Sequence, residues 1–392
     1  MQTVQNIKTI YILPWEDYVE KALLKTWLYE STNPFPSKIK AIDASSITRL
    51  VIQQNKKAII CDQNTNRLLM VILRNRIGPD ALELFNTTIT SMFDYRRPVA
   101  RQETESLNQG HLIAAGYLAI RQCGIFTHVL NLKNKFRGSS LQYEYEAKII
   151  AANALLFNYA MGLFPVEVTS NINQVIENYQ LPRLDGYNYG TVDKGFTVSY
   201  MDKNIQLPFP LGLCQAYASL NYAKYNHIDY NILDFAFACI TKRGIKNNNN
   251  NQSIIEEGNF EGGNFFLSKW GIKIEMATNT FWCWPEKDEH GTTALPSYGY
   301  QAGWSQNLSQ KTVTAITRWR KGTENPAHIK YRQNQIDDDS YAATALKNSI
   351  KKDENEDEDK EEKLENEEIG EFMQSTKMNL IYIIYIFVKF FI

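Results

Sequence analysis

Phe260–Gly291 reads FEGGNFFLSKWGIKIEMATNTFWCWPEKDEHG, and its punctuation decides the fold. Gly262-Gly263 sits just before the apolar run Phe265-Phe266-Leu267, the pattern of a tight turn entering a strand. Ile272, Ile274 and Met276 then alternate with Lys273 and Glu275, which is strand periodicity. Asn279-Thr280 marks a turn, and Phe281-Trp282-Cys283-Trp284 follows as a strand running towards His290. Working outward, Leu233–Ile240 alternates too. Apolar residues at 233, 235, 237 and 239 face one way, and a mainly small set faces the other. The Asn247–Asn251 tract reads as a solvated insertion.

Metal-ligand types frame this region. The chain has five histidines. One opens the HxD pair His227-Ile228-Asp229, and another, His290, lies 61 residues beyond Asp229. On an extended strand, residues i and i+2 point to the same face, so His227 and Asp229 reach one metal together. The third ligand then comes from a different strand. Two imidazoles and one carboxylate on one face of a metal suit Fe(II), and they leave positions open for a cosubstrate and O2. His227, Asp229 and His290 are therefore the candidate catalytic and metal-ligating residues. An HxD pair taken alone also fits a surface strand edge, and the segment before His290, Glu286-Lys287-Asp288-Glu289, is charged.

Taken in order, the HxD pair, the Gly-Gly strand entry, the alternating strands and the His290-Gly291 step resemble the core of the 2-oxoglutarate- and Fe(II)-dependent dioxygenases. More narrowly they resemble the ten-eleven-translocation/J-binding (TET/JBP)-like group and its fungal-type relatives. The resemblance covers about residues 180–322. It implies an α+β protein with a double-stranded β-helix core (jelly-roll, cupin-like) braced by N-terminal helices. It implies Fe(II) and 2-oxoglutarate as cofactors, with O2 as co-reactant. A basic residue on the strand after the His-Gly step would hold the remote carboxylate of 2-oxoglutarate. Gln310–Trp319 is the next strand candidate, and Lys311 best matches that position, where the family usually has arginine. Arg318 and the hydroxyl of Thr292 are the alternatives. The implied activity is a dioxygenase, with oxidation of 5-methylpyrimidines in nucleic acid as one substrate reading. A hydroxylase of a protein or small molecule, and a scaffold without turnover, stay open. DNA or RNA would be the macromolecular partner. Tyr298, Tyr300 and Trp304 are then candidates to stack on a base, and Arg318-Trp319-Arg320-Lys321 to touch phosphate, beside blander roles as rim and strand cap.

The rest of the chain sets the frame. Three units are expected: an N-terminal α+β region over 1–179, the β-helix core over 180–335, and an acidic tail over 336–392 ending in a short apolar stretch. In the N-terminal region Ile7–Leu13, Lys57–Cys61 and Leu68–Leu73 read as strands, and 104–123 and 144–163 as helices. Net charge is −1 overall, but 351–371 carries −8 and 1–350 carries +5, a body that permits nucleic-acid contact without demanding it. The acidic run cannot bury enough apolar surface to order itself. Five scattered cysteines with no CxxC suggest neither a zinc knuckle nor a disulfide framework. With no secretory pattern at Met1–Glu16, the expectation is an intracellular protein, in nucleus or cytoplasm. The apolar end, Met378–Ile392, falls short of the about 20 residues of a bilayer span, so membrane contact is not expected. No protein partner is implied.

Overall fold

The computed structural model describes residues 7–15, 23–30, 40–95, 110–119, 126–128, 140–179, 181, 196–200, 203–207, 212–249, 252–256 and 258–320. The strands are β1 (Lys8–Ile12), β2 (Trp27–Tyr29), β3 (Ala41–Asp43), β4 (Leu50–Ile52), β5 (Ala58–Asp62), β6 (Leu68–Arg74), β7 (His111–Ala119), β8 (Phe126–His128), β9 (Phe196–Tyr200), β10 (Lys203–Leu207), β11 (Gln215–Leu220), β12 (Phe235–Asn249), β13 (Gln252–Glu256), β14 (Phe265–Leu267), β15 (Ile272–Ile274), β16 (Thr280–Pro285), β17 (His290–Thr292) and β18 (Gly299–Gln306). The helices are α1 (Pro79–Tyr95), α2 (Ser140–Leu163), α3 (Val166–Tyr179) and α4 (Gln310–Arg320).

Mixed sheets and helices make up the fold. A ten-stranded sheet runs in the order β1-β5-β6-β16-β12-β18-β11-β7-β8, with β13 paired to β12 off that path. A four-stranded sheet runs β17-β14-β15-β4. The large sheet draws β1, β5, β6, β7 and β8 from before residue 180 and the remainder from after it.

The alternation read in the sequence sorts the two faces of this sheet. Phe237 and Cys239 of β12, Phe281 and Cys283 of β16 and Trp304 of β18 face outward. They join one buried cluster with Phe85 and Ile89 of α1, Leu156 and Phe157 of α2, and Ile172 of α3. Phe164 stacks on Phe281 with ring centroids 4.6 Å apart, an aromatic pair worth about 0.5–1.5 kcal/mol beyond its buried area. The opposite set, Ala236, Ala238, Ile240, Trp282 and Trp284, faces inward and packs on Phe265, Leu267, Ile272 and Ile274 of the small sheet. Phe266, between the last two inward residues of β14, turns the other way onto Leu28, Ala44 and Ile47. Helices, large sheet and small sheet thus lie in layers, and the site forms between the sheets.

Three expectations are corrected. The 104–123 segment is not helical where it is described: His111–Ala119 is β7, paired with β11 from His111↔Leu220 to Gly116↔Gln215. Its run of small residues suits a strand buried on both faces as well as a helix. Within the Asn247–Asn251 tract, read as a loop, Asn247–Asn249 end β12 and pair with β13, and residues 250–251 lie outside the described residues. Gln310–Arg320 is helix α4, not a strand. Its buried residues Thr312, Val313, Ala315 and Ile316 recur at helical spacing, which overrides the β-branched composition that suggests a strand. The acidic tail and the apolar end lie outside the described residues. Among the described residues, no helix is long and apolar enough to cross a membrane.

Candidate metal centre

His227 and Asp229 sit on the irregular connection between β11 and β12, and His290 opens β17. The HxD pair is thus not on a regular strand as expected. A reciprocal backbone pair compensates: the His227 N–H donates to the His290 carbonyl at 2.8 Å, and the His290 N–H donates back at 2.9 Å. This clamp brings the two rings to 4.4 Å between centroids.

The three side chains converge. His227 Nε2 is 3.4 Å from Asp229 Oδ1, and His290 Nε2 is 3.5 Å from Asp229 Oδ2. One ligand atom from each lies within 4.8 Å of the others. Ligands at right angles on one ion, each about 2.0–2.2 Å away, sit about 3 Å apart, so small rotamer shifts close this set on a metal. The tautomers are fixed as well. His227 Nδ1 lies 2.8 Å from the Tyr225 carbonyl oxygen, and His290 Nδ1 lies 2.9 Å from that of Asp288. A carbonyl only accepts, so each Nδ1 carries the proton and each Nε2 turns its lone pair to the shared point.

A second layer holds the ligands. Fully buried Asn226 donates from Nδ2 to Glu289 Oε2 at 2.9 Å, and its Oδ1 accepts from the Ser268 hydroxyl. Asp288 accepts from Arg67 Nη2 and Trp270 Nε1, each at 2.9 Å. The residues immediately before both histidines are therefore anchored. Burial, then the neighbouring His290, holds the His227 imidazole below its usual range, which favours the neutral, ligating form. Burial works to raise Asp229, but in the metal-free protein its closeness to the two imidazole Nε2 atoms, which can then take up a proton, outweighs it and holds the carboxyl far below the carboxylate range. His290 is 4% exposed, whereas His227 and Asp229 keep 21% and 30%. One side of the set is buried and the other is open.

Of the residues expected to hold a cosubstrate, Thr292 shares β17 with His290, and the N–H of Gln310, beside Lys311, donates to the Tyr230 carbonyl next to Asp229 at 3.2 Å. Lys311 and Arg318 lie exposed on α4, Lys311 in its first turn. Thr292 is on β17, where its hydroxyl accepts the Lys224 N–H at 2.9 Å. Trp304 is no base-stacking platform. It is 1% exposed on the outward face, with Nε1 donating to Asn153 Oδ1 at 2.7 Å. Tyr298 is half exposed and packs edge-on against Phe260.

Further buried donors line the face between the sheets. Arg243 of β12 is 3% exposed. A β-bulge between Ile240 and Lys242 shifts the alternation and turns Arg243 inward, opposite Gln301 of β18. Its Nη1 donates to Gln301 Oε1, and its Nη2 donates to the carbonyls of Phe260 at 2.9 Å and Gly262 at 2.7 Å. Its carbon lies 3.7 Å from the Phe260 ring centroid. Gly262 is required there: at φ +96°, an added Cβ would lie 2.0 Å from the Ala294 carbonyl oxygen. Burial lowers the Arg243 pKa to about 10, so it stays charged at neutral pH. Its Nε has no partner among the described residues, nor do the buried indole nitrogens of Trp282 and Trp284. All three are donors on the inner face. Between them the face is lined by Ala236 and Ala238.

No family model matches the chain, and no curated protein matches it. Solved structures do. NgTET1 in complex with 5mC DNA matches at 13% identity and a TM-score of 0.41, covering 67% of this chain and 83% of that one. An oxidoreductase of the 2OG-Fe(II) oxygenase family from Burkholderia pseudomallei matches at 10% identity and 0.30, covering 62% and 87%. A prolyl hydroxylase from Trichoplax adhaerens, in complex with a hypoxia-inducible-factor oxygen degradation domain peptide, matches at 9% identity and 0.28, covering 64% and 88%. At these values the functional reading rests on side-chain geometry.

Proposed function

We propose that this chain is a dioxygenase that uses Fe(II), 2-oxoglutarate and O2, built on a double-stranded β-helix formed by the large and small sheets. The observation that carries the reading is the convergence of His227 Nε2, Asp229 and His290 Nε2 with both tautomers already fixed. Two neutral imidazoles and a carboxylate on one face match the donor set that Fe(II) oxygenases use, and the partly exposed side stays open. The inner face fits a dicarboxylate in the same way. Trp282 Nε1, Trp284 Nε1 and Arg243 Nε are buried donors without acceptors, and Arg243 brings a positive charge. Arg243 takes the anchoring role assigned from the sequence to Lys311. When bound, the metal and cosubstrate supply the oxidising chemistry. The chain's own residues orient them, and Phe265, stacked on His290, and Trp284, tilted against it, keep water from its buried side.

For the substrate we carry forward a 5-methylpyrimidine in nucleic acid, on the resemblance of the Phe260–Gly291 string. The test is incubation with Fe(II), 2-oxoglutarate and methylated DNA or RNA, with succinate and oxidised bases read by mass spectrometry. Oxidised bases support the full reading. Succinate without them moves the substrate to a protein or small molecule. Absence of both, with no metal bound, overturns the reading.

A further inference from the structure

The two histidines of the centre have different walls. His290 is buried against Phe265 and Trp284. His227, the more exposed, lies against Tyr225, with ring centroids 6.2 Å apart. Trp27 of β2 packs edge-on against Tyr225 at 5.7 Å, and Lys224 holds its Nζ 4.4 Å from the Tyr225 ring centroid. Trp27, Lys224 and Tyr225 are all half-buried. The backbone ties them to the centre. The Lys224 N–H donates to the Thr292 hydroxyl, and the Lys224 carbonyl accepts the Thr292 N–H, both at 2.9 Å, two residues past His290. On the other side the Asn226 N–H donates to the Thr26 carbonyl at 2.9 Å, and the Lys25 N–H donates to the Asn226 carbonyl at 2.8 Å. Lys25 is exposed and sits at φ +59°. The other non-glycine residues described at positive φ are Asn66, Asn75, Asn221 and Asn279, and asparagine tolerates that region where lysine is strained. Strain of this kind points to a side chain with a task. Among the described residues neither Lys25 nor Lys224 pairs with a carboxylate. Glu30, just past β2, is engaged by Asn264 Nδ2 at 2.7 Å and the Thr293 hydroxyl at 3.1 Å.

We infer that Lys25, Trp27, Lys224 and Tyr225 form the substrate surface of this centre, and that it takes a single strand of nucleic acid. This rests on reading the triad as a metal centre and deepens the substrate reading above. The surface sets a cation beside each ring, Lys25 with Trp27 and Lys224 with Tyr225. A single strand brings the matching pair at every nucleotide, a phosphate and an unstacked base. Bases stack on tyrosine and tryptophan whatever their sequence, and cations track the backbone. A lysine ammonium is a point charge, which suits phosphate; a planar carboxylate is better met by an arginine fork. In a duplex the bases stack on one another, so only the lysines would find partners. A base held against Tyr225 lies beside His227, and so beside the metal that His227 would ligate.

The full chain is loaded anaerobically with Fe(II) and 2-oxoglutarate, so that no turnover occurs. The visible charge-transfer absorption of wild type is recorded first. Its absence overturns the metal reading, and with it the substrate role, while the binding data still decide the surface. Fluorescence anisotropy then follows three labelled probes over a range of salt: a deoxythymidine strand, the same strand paired with deoxyadenosine, and a glutamate–tyrosine copolymer. Wild type should bind the single strand about tenfold or more tighter than the duplex. Lys25→Gly and Lys224→Gln should each flatten the slope of log affinity against log salt by about 0.7. Glycine suits positive φ, so Lys25→Gly should hold or raise the Tm while losing affinity, a split that a structural lysine would not show. Tyr225→Leu should weaken the strand by about fivefold or more with the slope unchanged, and Tyr225→Phe should keep the affinity. If Tyr225→Leu does not fold, the two lysine slopes decide. Duplex binding as tight as the single strand overturns the single-strand reading. Unchanged slopes in both lysine variants overturn the surface. Tighter binding of the copolymer, with the same losses in the variants, assigns the surface to an acidic, aromatic protein segment and overturns nucleic acid as its ligand.

Discussion

The two faces of the ten-stranded sheet use the same residue type in opposite ways. Trp304, facing the helices, is buried with its indole N–H bonded to Asn153 at 2.7 Å. Trp282 and Trp284, facing the small sheet, are buried with theirs unpaired. The outward face is filled with large side chains such as Phe237 and Phe281. The inward face alternates its two tryptophans with Ala236 and Ala238 and ends in an unpaired carboxyl at Glu286. The outward face is not perfectly satisfied, since Asn153 Nδ2 and Gln306 Oε1 lack partners. Even so, polar atoms there mostly meet one another, while those facing inward wait for something else. Unpaired buried donors are rare enough that several on one face call for a common cause. The proposed cosubstrate, held between the sheets, would supply that cause.

The largest effects should come from breaking the outward face. Phe281→Ala removes a ring stacked at 4.6 Å on Phe164 and should destabilise the fold by about 3–5 kcal/mol in denaturant unfolding. Ala238→Leu, on the same sheet but facing inward, should fold and instead lose 2-oxoglutarate by filling the space beside Trp282. Equal destabilisation by both would erase the difference between the faces.

Next come the ligands. His290→Ala and Asp229→Ala should each lower Fe(II) or Mn(II) affinity by more than the about 10–100-fold typical of second-layer residues, with the fold intact by circular dichroism. Asn226→Ala, which frees Glu289 and Ser268, should fall within that range. Arg243→Met tests the far end of the inner face. It should weaken 2-oxoglutarate by about 1.5–3 kcal/mol, the worth of hydrogen bonds to a charged group, while sparing the metal. Calorimetry of each ligand separates the two losses.

These residues differ in how plainly the sequence announces them. The triad is legible because HxD and a distant histidine are rare in a chain with five histidines. The Gly262-Gly263 turn is legible because the backbone there needs positive φ, which glycine alone adopts readily. Arg243 is not legible: a bulge decides which way it faces, and a bulge leaves no mark in a period-two pattern. Glu286, Asp288 and Glu289 are hidden for a different reason. A charged run reads as solvated surface, yet all three are buried, at 0%, 6% and 3% exposure, each with a different neighbour. The 104–123 segment and α4 mislead through composition, small residues in a strand and β-branched residues in a helix, where tertiary packing overrides propensity.

The buried carboxyl also predicts a pH dependence. Burial and then Asp229 raise the Glu286 pKa well above its usual value, against smaller help from Asn231 and Lys287, with Asp234 adding to the rise. A carboxyl with a raised folded pKa binds its proton more tightly in the folded state. Its contribution is therefore fully present below the unfolded pKa and is lost as pH climbs from there through the folded pKa. Melting of the metal-free protein should show wild type losing stability relative to Glu286→Gln across that interval. Parallel pH profiles would mean that Glu286 is ionised and paired, which would return it to the satisfied class that typifies the outward face.

The smallest effect belongs to Lys311. Expected on a strand pointing into the metal cavity, it is instead exposed in the first turn of α4, after the large sheet has ended. A cation there opposes the helix dipole, whose positive end lies at the N-terminus. Lys311→Ala should therefore change stability by no more than about 0.5 kcal/mol, in the stabilising direction if at all. Lys311→Glu should gain about 0.3–1 kcal/mol at low ionic strength and lose that gain in salt. Neither change should alter 2-oxoglutarate affinity, since the inward donors at Arg243, Trp282 and Trp284 do not involve α4. Titration of the cosubstrate into wild type and Lys311→Ala is the sharpest way to separate the face that binds from the surface that does not. A tenfold loss in the variant would place the anchoring charge outside the two sheets. The unpaired donors between them would then need a different ligand.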